Sequence, residues 1–192
     1  MAASEQHATL YSVAEYLAFE DRAHERHEYH AGYVYAMAGS TAAHSAISAW
    51  MIAALVRQLA GGPCRVHTSD MLIEQGPLDF SYADAAVCCD PRDRDPLATS
   101  IRHPRLVVEV LSTRTATYDQ TTKLALWQAI ESMEYIVYLD ARRVAPLQIW
   151  TRHAGEWNRV VHRWDGGPIL LAELNVALDP AEIFAASGLG DD

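Results

Sequence analysis

Apolar positions recur along this chain with two periods, and the switches between them mark out the elements. In "YSVAEYLAFED", Ser12 stands three residues before Glu15 in a capping-box spacing, with Tyr16, Leu17 and Phe19 behind it. This predicts a short first helix. "HEYHAGYVYAMAG" then alternates, with Tyr29, Ala31, Tyr33, Tyr35 and Met37 on one side and Gly32 at a bend or turn. The pattern predicts a strand pair or one bent strand. From Thr41 to Leu59, the residues Ile47, Trp50, Met51, Ala54, Leu55 and Leu59 fall at three-to-four spacing, which gives one apolar stripe and the strongest helix signal. Three strands are expected next, in "CRVHTSDMLIE", "YADAAVCC" and "RLVVEVLS", separated by the turn-rich "QGPLDFS" and "DPRDRDP". The third is apolar on both faces apart from Glu109, as in a central strand covered on both sides. Thr117 and Gln120 suggest a second capping box and a helix to Ile130; "YIVYLD", "PLQIWTR" and "WNRVVHRW" read as strands, and "DPAEIFAA" as a closing helix. Helix, strands, helix, strands is an α/β plan with a mixed sheet. No repeat or linker divides it, so one domain is expected over residues 1–192, with a core from about residue 9 to residue 186.

Composition narrows the function. The chain has 192 residues, half of them apolar, enough to bury a core unaided. A net charge of -10 argues against broad adhesion to nucleic acid, which needs Lys and Arg to neutralise phosphates. It leaves room for a site where a metal ion offsets phosphate charge locally. No apolar run reaches the roughly 18 residues of a membrane span, and "MAASEQHATLYS" lacks the basic-then-apolar order of a secretory signal, so a soluble cytoplasmic protein is expected. Three cysteines, with Cys88 and Cys89 adjacent in an apolar run, predict free thiols rather than a disulfide framework or a zinc site. Trp150, Trp157 and Trp164 are either core residues or the face of a homodimer.

The candidate chemistry lies in residues that break the pattern. An ionised carboxylate inside an apolar strand needs a cation or loses its charge, so Glu109 calls for a partner. Asp84 has a similar setting, and if its strand neighbours that of Glu109 the two acids meet in one cleft, where oxygen donors can hold Mg²⁺. The plainer reading pairs such acids with Arg102 or Arg105, just ahead of the third strand. Lys123 is the single lysine beside fourteen arginines. It stands four residues after Asp119, the spacing of an exposed helical ion pair, yet its side chain would also point back towards the end of the Glu109 strand.

With these residues in place the sequence resembles the Uma-two family of bacterial endonucleases, in the PD-(D/E)XK restriction-endonuclease-like superfamily. The resemblance runs through "HEYHAGYVYAMAGSTAAHS", "CRVHTSDMLI", "YADAAV", "RLVVEVLS" and "YDQTTKLALWQAIESMEYIVYLD", in that order. It implies a mixed β-sheet flanked by helices and a Mg²⁺- or Mn²⁺-dependent nuclease acting on DNA, without a membrane partner. By position, Asp84 and Glu109 would be the metal ligands, with the backbone carbonyl of Val110 as third donor. Lys123 would orient the attacking water or stabilise the charge developing on the phosphorane, and Glu28 would be a further ligand or the general base. Asp70, His44 and Asp119 would support these groups or touch the substrate, His44 as a neutral imidazole near a helix N-terminus. Leu111 stands where the superfamily's usual lysine would be. Ala83 replaces the motif proline, residues 113–115 replace a Ser-Pro turn, and Trp127 and Glu131 replace a tyrosine and a proline. The alternative is a catalytically silent module that keeps the nuclease fold for binding or interaction.

Overall fold

The first helix, α1 (Val13–Glu20), begins as the Ser12–Glu15 spacing predicts: the Ser12 hydroxyl accepts from the Glu15 N–H, and the Glu15 carboxylate accepts from the Ser12 N–H at 2.8 Å. It opens a computed structural model that describes residues 10–37, 39–113, 115–142 and 147–188. The "MAASEQHAT" start, Arg114 of the 113–115 turn and Pro146 lie outside the described residues.

The alternating stretch is a hairpin of β1 (His27–His30) and β2 (Tyr33–Ala36), joined by Ala31 and Gly32 at φ 47° and 96°. Two positive φ values in a two-residue turn match the twist of the flanking strands. That turn resets the alternation: Tyr29 is buried while Tyr33 and Tyr35 are exposed, so the residues expected on one side divide between two. α2 (Ala42–Leu59) starts at Thr41, whose hydroxyl accepts from the His44 N–H at 3.2 Å, and buries Ile47, Met51, Ala54 and Leu55.

"CRVHTSDMLIE" forms two strands, β3 (Arg65–Thr68) and β4 (Leu72–Gly76), because Thr68 turns the chain: its hydroxyl and carbonyl accept the Asp70 and Met71 N–H groups. β5 (Asp79–Ser81) lies inside the segment read as a turn; β6 (Ala85–Cys88), β7 (Ser100–Ile101) and β8 (Pro104–Leu111) follow. The helix predicted from Thr117 is composite: α3 (Ala116–Tyr118), a π-helical turn over Asp119–Lys123, and α4 (Leu124–Ala129). The second capping box does not form. Thr117 already lies inside the helix, the Gln120 amide donates to the Ala116 carbonyl, and Ser112 caps the start by taking the Thr115 N–H on its hydroxyl and the Ala116 N–H on its carbonyl. The chain closes with β9 (Tyr135–Asp140), β10 (Leu147–His153), β11 (Glu156–His162), β12 (Ile169–Leu171), β13 (Val176–Leu178) and α5 (Pro180–Ala186); the β12–β13 hairpin has no counterpart in the sequence reading.

The main sheet has the order β11-β10-β9-β8-β6-β3 and is mixed as predicted, with β8 and β9 parallel and the other pairs antiparallel. α2 and α5 pack on one face and α4 on the other. A second sheet, β2-β1-β5-β4-β7, closes over Tyr16, Tyr29, Phe80 and Tyr82. Trp164 is a core residue; Trp150 and Trp157 pack against the α4 side, with Arg159 and Arg152 over their rings at 5.8 and 5.9 Å. Among the described residues no helix is long and apolar enough to cross a membrane.

The expectation of three free thiols is corrected. Cys64 and Cys89 form a disulfide, and Cys88 alone is free and buried. Antiparallel pairing of β3 with β6 sets Arg65 opposite Cys88, so one step further along Cys64 meets Cys89, with their Cα atoms 3.9 Å apart. Sequence spacing alone cannot reveal such a cross-strand meeting.

Candidate active site

Strand alternation on β8 sends Leu106, Val108 and Val110 to the α2 face and Val107 and Leu111 to the α4 face, and Glu109 follows the latter. β6 runs beside β8 with Ala85 opposite Val108, so one step further brings Asp84 opposite Glu109. The Asp84 carboxylate accepts the Val110 N–H at 2.7 Å, which ties it to the end of β8. The crossover from β8 to the parallel β9 then returns over this face and delivers Lys123 from the π-helical turn.

Lys123 is only 4% exposed and spends its three N–H donors on three acceptors. They are Glu28 at 2.8 Å, Glu109 Oε1 at 2.9 Å and the Tyr82 carbonyl at 2.8 Å. The Trp127 indole N–H donates to the same Glu109 Oε1 at 3.0 Å, so the tryptophan that departs from the family pattern holds the acid in place. Oε2 of Glu109 makes no hydrogen bond among the described residues. Asp119 is buried, and its carbonyl accepts the Tyr138 hydroxyl at 2.6 Å. The plainer readings do not hold here. Lys123 is not on an exposed helix face, Arg102 pairs with Glu74 at 2.7 Å, and Arg105 pairs with Glu134 at 2.6 Å.

Glu28, His44, Asp84, Glu109, Val110, Asp119 and Lys123 all line one cavity of about 810 Å³. Asp70 does not join them. It sits on the β3–β4 turn with its side chain 79% exposed, facing Arg26 at 3.6 Å. The lining also holds residues that sequence reasoning passed over: Tyr82 through its carbonyl, Tyr118, Tyr35, and His30, whose Nδ1 meets the Asp79 carboxylate of β5. His30 and Tyr35 were within reach of the strand alternation, but Asp79 was hidden in a segment that reads as a turn.

Charge at the cavity floor is unbalanced. Burial drives the Glu109 carboxyl well above the usual range, opposed by Lys123 and reinforced by Asp119 and Asp84. Burial likewise raises Asp119. For Lys123, burial presses towards the neutral amine, but Glu109, Glu28 and Asp119 outweigh it and hold the ammonium well above its ordinary value. His44 behaves in the same way: burial lowers it, and Asp84, 3.4 Å away, more than reverses this with a contribution from the Val110 carbonyl. Asp84 therefore favours the imidazolium, against the helix N-terminus, which favours the neutral form.

Glu28 and Glu109 thus share the Lys123 ammonium, with Asp119 close by and Asp84 facing His44. The oxygen donors Asp84, Glu109 and the Val110 carbonyl suit a hard divalent cation in kind and in charge. Among the described residues no three His, Cys, Asp or Glu side chains form a ready-made metal cluster. That is compatible with Mg²⁺, which is held by one or two carboxylates together with waters and substrate phosphates rather than by an all-protein cage.

The Uma2 (Uma-two) family model, described as "Putative restriction endonuclease", matches residues 13–179. The chain belongs to this family. The uncharacterized protein slr1290 of Synechocystis sp. (strain ATCC 27184 / PCC 6803 / Kazusa) is 41% identical over 117 residues, 60% of this chain and 61% of that protein. The chain therefore spans less than two thirds of this relative's length. A second Synechocystis protein, the uncharacterized sll1609, is 26% identical over 133 residues, 68% of this chain and 75% of its own. The crystal structure of a "putative nuclease belonging to DUF820" from Anabaena variabilis ATCC 29413 superposes with a TM-score of 0.75, covering 92% of this chain and 99% of that one at 14% identity. The shared fold is the restriction-endonuclease-like one: a mixed sheet flanked by helices.

Proposed function

We propose that the chain is a metal-dependent endonuclease that hydrolyses DNA phosphodiester bonds at the cavity floor. The observation that carries this reading is the excess of buried carboxylate over cation around Glu109, beside a space large enough for a phosphodiester. Membership of a family described as restriction endonucleases supports it. Asp84, Glu109 and the Val110 carbonyl would hold Mg²⁺ or Mn²⁺, which supplies Lewis acidity towards a phosphoryl oxygen and its attacking water.

This chain's own groups do the rest. Glu28 lines the cavity beside Lys123 and takes the proton of the attacking water as the new P–O bond forms. Lys123 fixes Glu28 and Glu109 relative to one another, and gives a donor to the substrate only by releasing one of its three acceptors. His44, on the same cavity wall, would supply the proton to the leaving oxygen as the old P–O bond breaks.

The test is cleavage of supercoiled and linear DNA with Mg²⁺ or Mn²⁺, against EDTA. Glu109→Gln and Lys123→Ala should each lower the rate by at least about 100-fold. Rates unchanged in both variants would remove this site from the chemistry. The full engagement of Lys123 favours a second reading, a silent module with the same fold. That module gives no cleavage, no calorimetric uptake of Mg²⁺, and a melting temperature that rises in Glu109→Met.

A further inference from the structure

The β1–β2 hairpin has two faces with different work. Cross-strand partners share a face, so Tyr29 and Val34 lie on one side, and Glu28 with Tyr35 and His30 with Tyr33 on the other. The first side is core, with Tyr29 stacked on Tyr16 at 4.9 Å between ring centroids and edge-on to Phe80. The second side leads into the cavity: Glu28, His30 and Tyr35 line it, and Tyr33 continues the row outwards. Tyr33 is 42% exposed and Tyr35 50%, their rings 6.5 Å apart. Neither hydroxyl has a hydrogen-bond partner among the described residues. Burying a tyrosine ring contributes strongly to stability, and these two adjacent rings on an edge strand leave about half of that area in water.

The electrostatics set what such a surface can hold. Among the described residues the cavity lining contains one cationic side chain that is charged at every ordinary pH, Lys123, and its donors are already spent. Among the described residues no arginine lines it, and the chain carries a net charge of -10. Grip on a duplex through its phosphates would need several such cations. The reacting carboxylates also lie at the bottom of the cavity, with Glu109 5% exposed. A phosphodiester that reaches them must come from a strand that bends locally, whereas duplex DNA stays stiff over about 150 base pairs. Single strands add to their phosphate contacts the stacking of bases on aromatic rings, a contribution that a closed duplex does not offer.

We infer that the substrate of this site is single-stranded DNA, whose bases stack on Tyr35 and Tyr33 at the cavity mouth while the adjoining phosphodiester enters towards Glu109. His30, braced by Asp79 on the neighbouring strand, stands on the same face as a hydrogen-bonding group for the entering backbone. The inference rests on the nuclease reading for the chemistry, but its own claim concerns which form of DNA is held and by what.

Fluorescence anisotropy with a labelled mixed-sequence oligonucleotide, without divalent metal, should show tighter binding of the single strand than of its blunt duplex. The logarithm of affinity should fall with the logarithm of salt at a slope smaller than about 2, because few phosphates are neutralised. Tyr35→Ala should weaken binding about tenfold, and Tyr35→Phe, which keeps the ring, should recover most of that loss. With Mg²⁺ or Mn²⁺ the same order should hold for cleavage. A preference for duplex, or equal affinities for wild type and Tyr35→Ala, overturns the inference. If duplex is cleaved and Tyr35→Ala has no effect, the nuclease reading survives and the aromatic platform does not. If single strands bind through Tyr35 but neither form is cut, the platform stands and the nuclease reading fails.

Discussion

His44 and Asp84 form a pair whose stabilising effect depends on pH in the metal-free protein. The folded pKa of His44 lies above its unfolded value of about 6.5, with Asp84, the Val110 carbonyl and Asp119 all favouring the imidazolium. The folded state therefore binds more protons between the two values. The stabilisation is complete below about pH 6.5 and is lost as pH rises through the raised folded value. Wild type should melt above His44→Asn at about pH 6, and the gap should shrink as pH rises through the raised folded value. A gap independent of pH, measured by thermal denaturation in EDTA, would show that the imidazole acts by packing alone. At this scale the sequence was informative where a residue violates its surroundings. Glu109 in a valine strand and the single lysine are both such violations, and they meet at 2.9 Å. Tyr82 contributes through its carbonyl and Trp127 through its indole N–H, and neither looks out of place in an apolar run.

At the level of elements, the π-helical turn Asp119–Lys123 decides how the site is assembled. A π turn is an α-helix with one residue inserted, and it advances the side chains around the axis relative to the regular spacing. Here it buries Asp119 and Lys123 together while α4 keeps Leu124 and Trp127 in the core. Deleting Thr121, an exposed residue of this turn, should restore α-helical spacing and leave Asp119 and Lys123 unable to keep both positions. Cleavage should fall by about 100-fold, the cost of misplacing a reacting group by about 1 Å, while far-ultraviolet circular dichroism stays unchanged. Full activity in the deletion variant would mean that the turn is incidental. No periodicity argument finds such an insertion, since Thr117 and Gln120 imitate a helix start two residues inside the real one. The capping box at Ser12 and the helix from Thr41 were legible because there the sequence and the chain direction change together.

Across the whole molecule, the Cys64–Cys89 bridge ties the edge strand β3 to β6, the strand that follows Asp84. The two cysteines are 25 positions apart, and closing this loop stabilises the fold by about 3 kcal/mol. Reduction, or Cys64→Ala with Cys89→Ala, should lower the melting temperature by roughly 10 °C. Retained stability after verified reduction would show that β3 is held by its strand pairing alone. The mixed sheet and its central strand were readable from the unbroken apolar run of β8. The second sheet was not, because β5 and β7 are short and sit in stretches rich in turn residues, where local composition outweighs the tertiary pairing that makes them strands.

The parallel pairing of β8 and β9 has a consequence for how the protein is made. Parallel neighbours cannot be joined by a tight turn, so the chain must leave the sheet and return, and the returning segment is the one that carries Lys123. While it emerges from the ribosome, a nascent polypeptide that has reached only Leu111 holds Glu28, Asp84 and Glu109 with no ammonium to draw them together. The step that completes the middle of the sheet is thus the one that supplies the counter-charge, so a half-made chain carries the acids without a working centre.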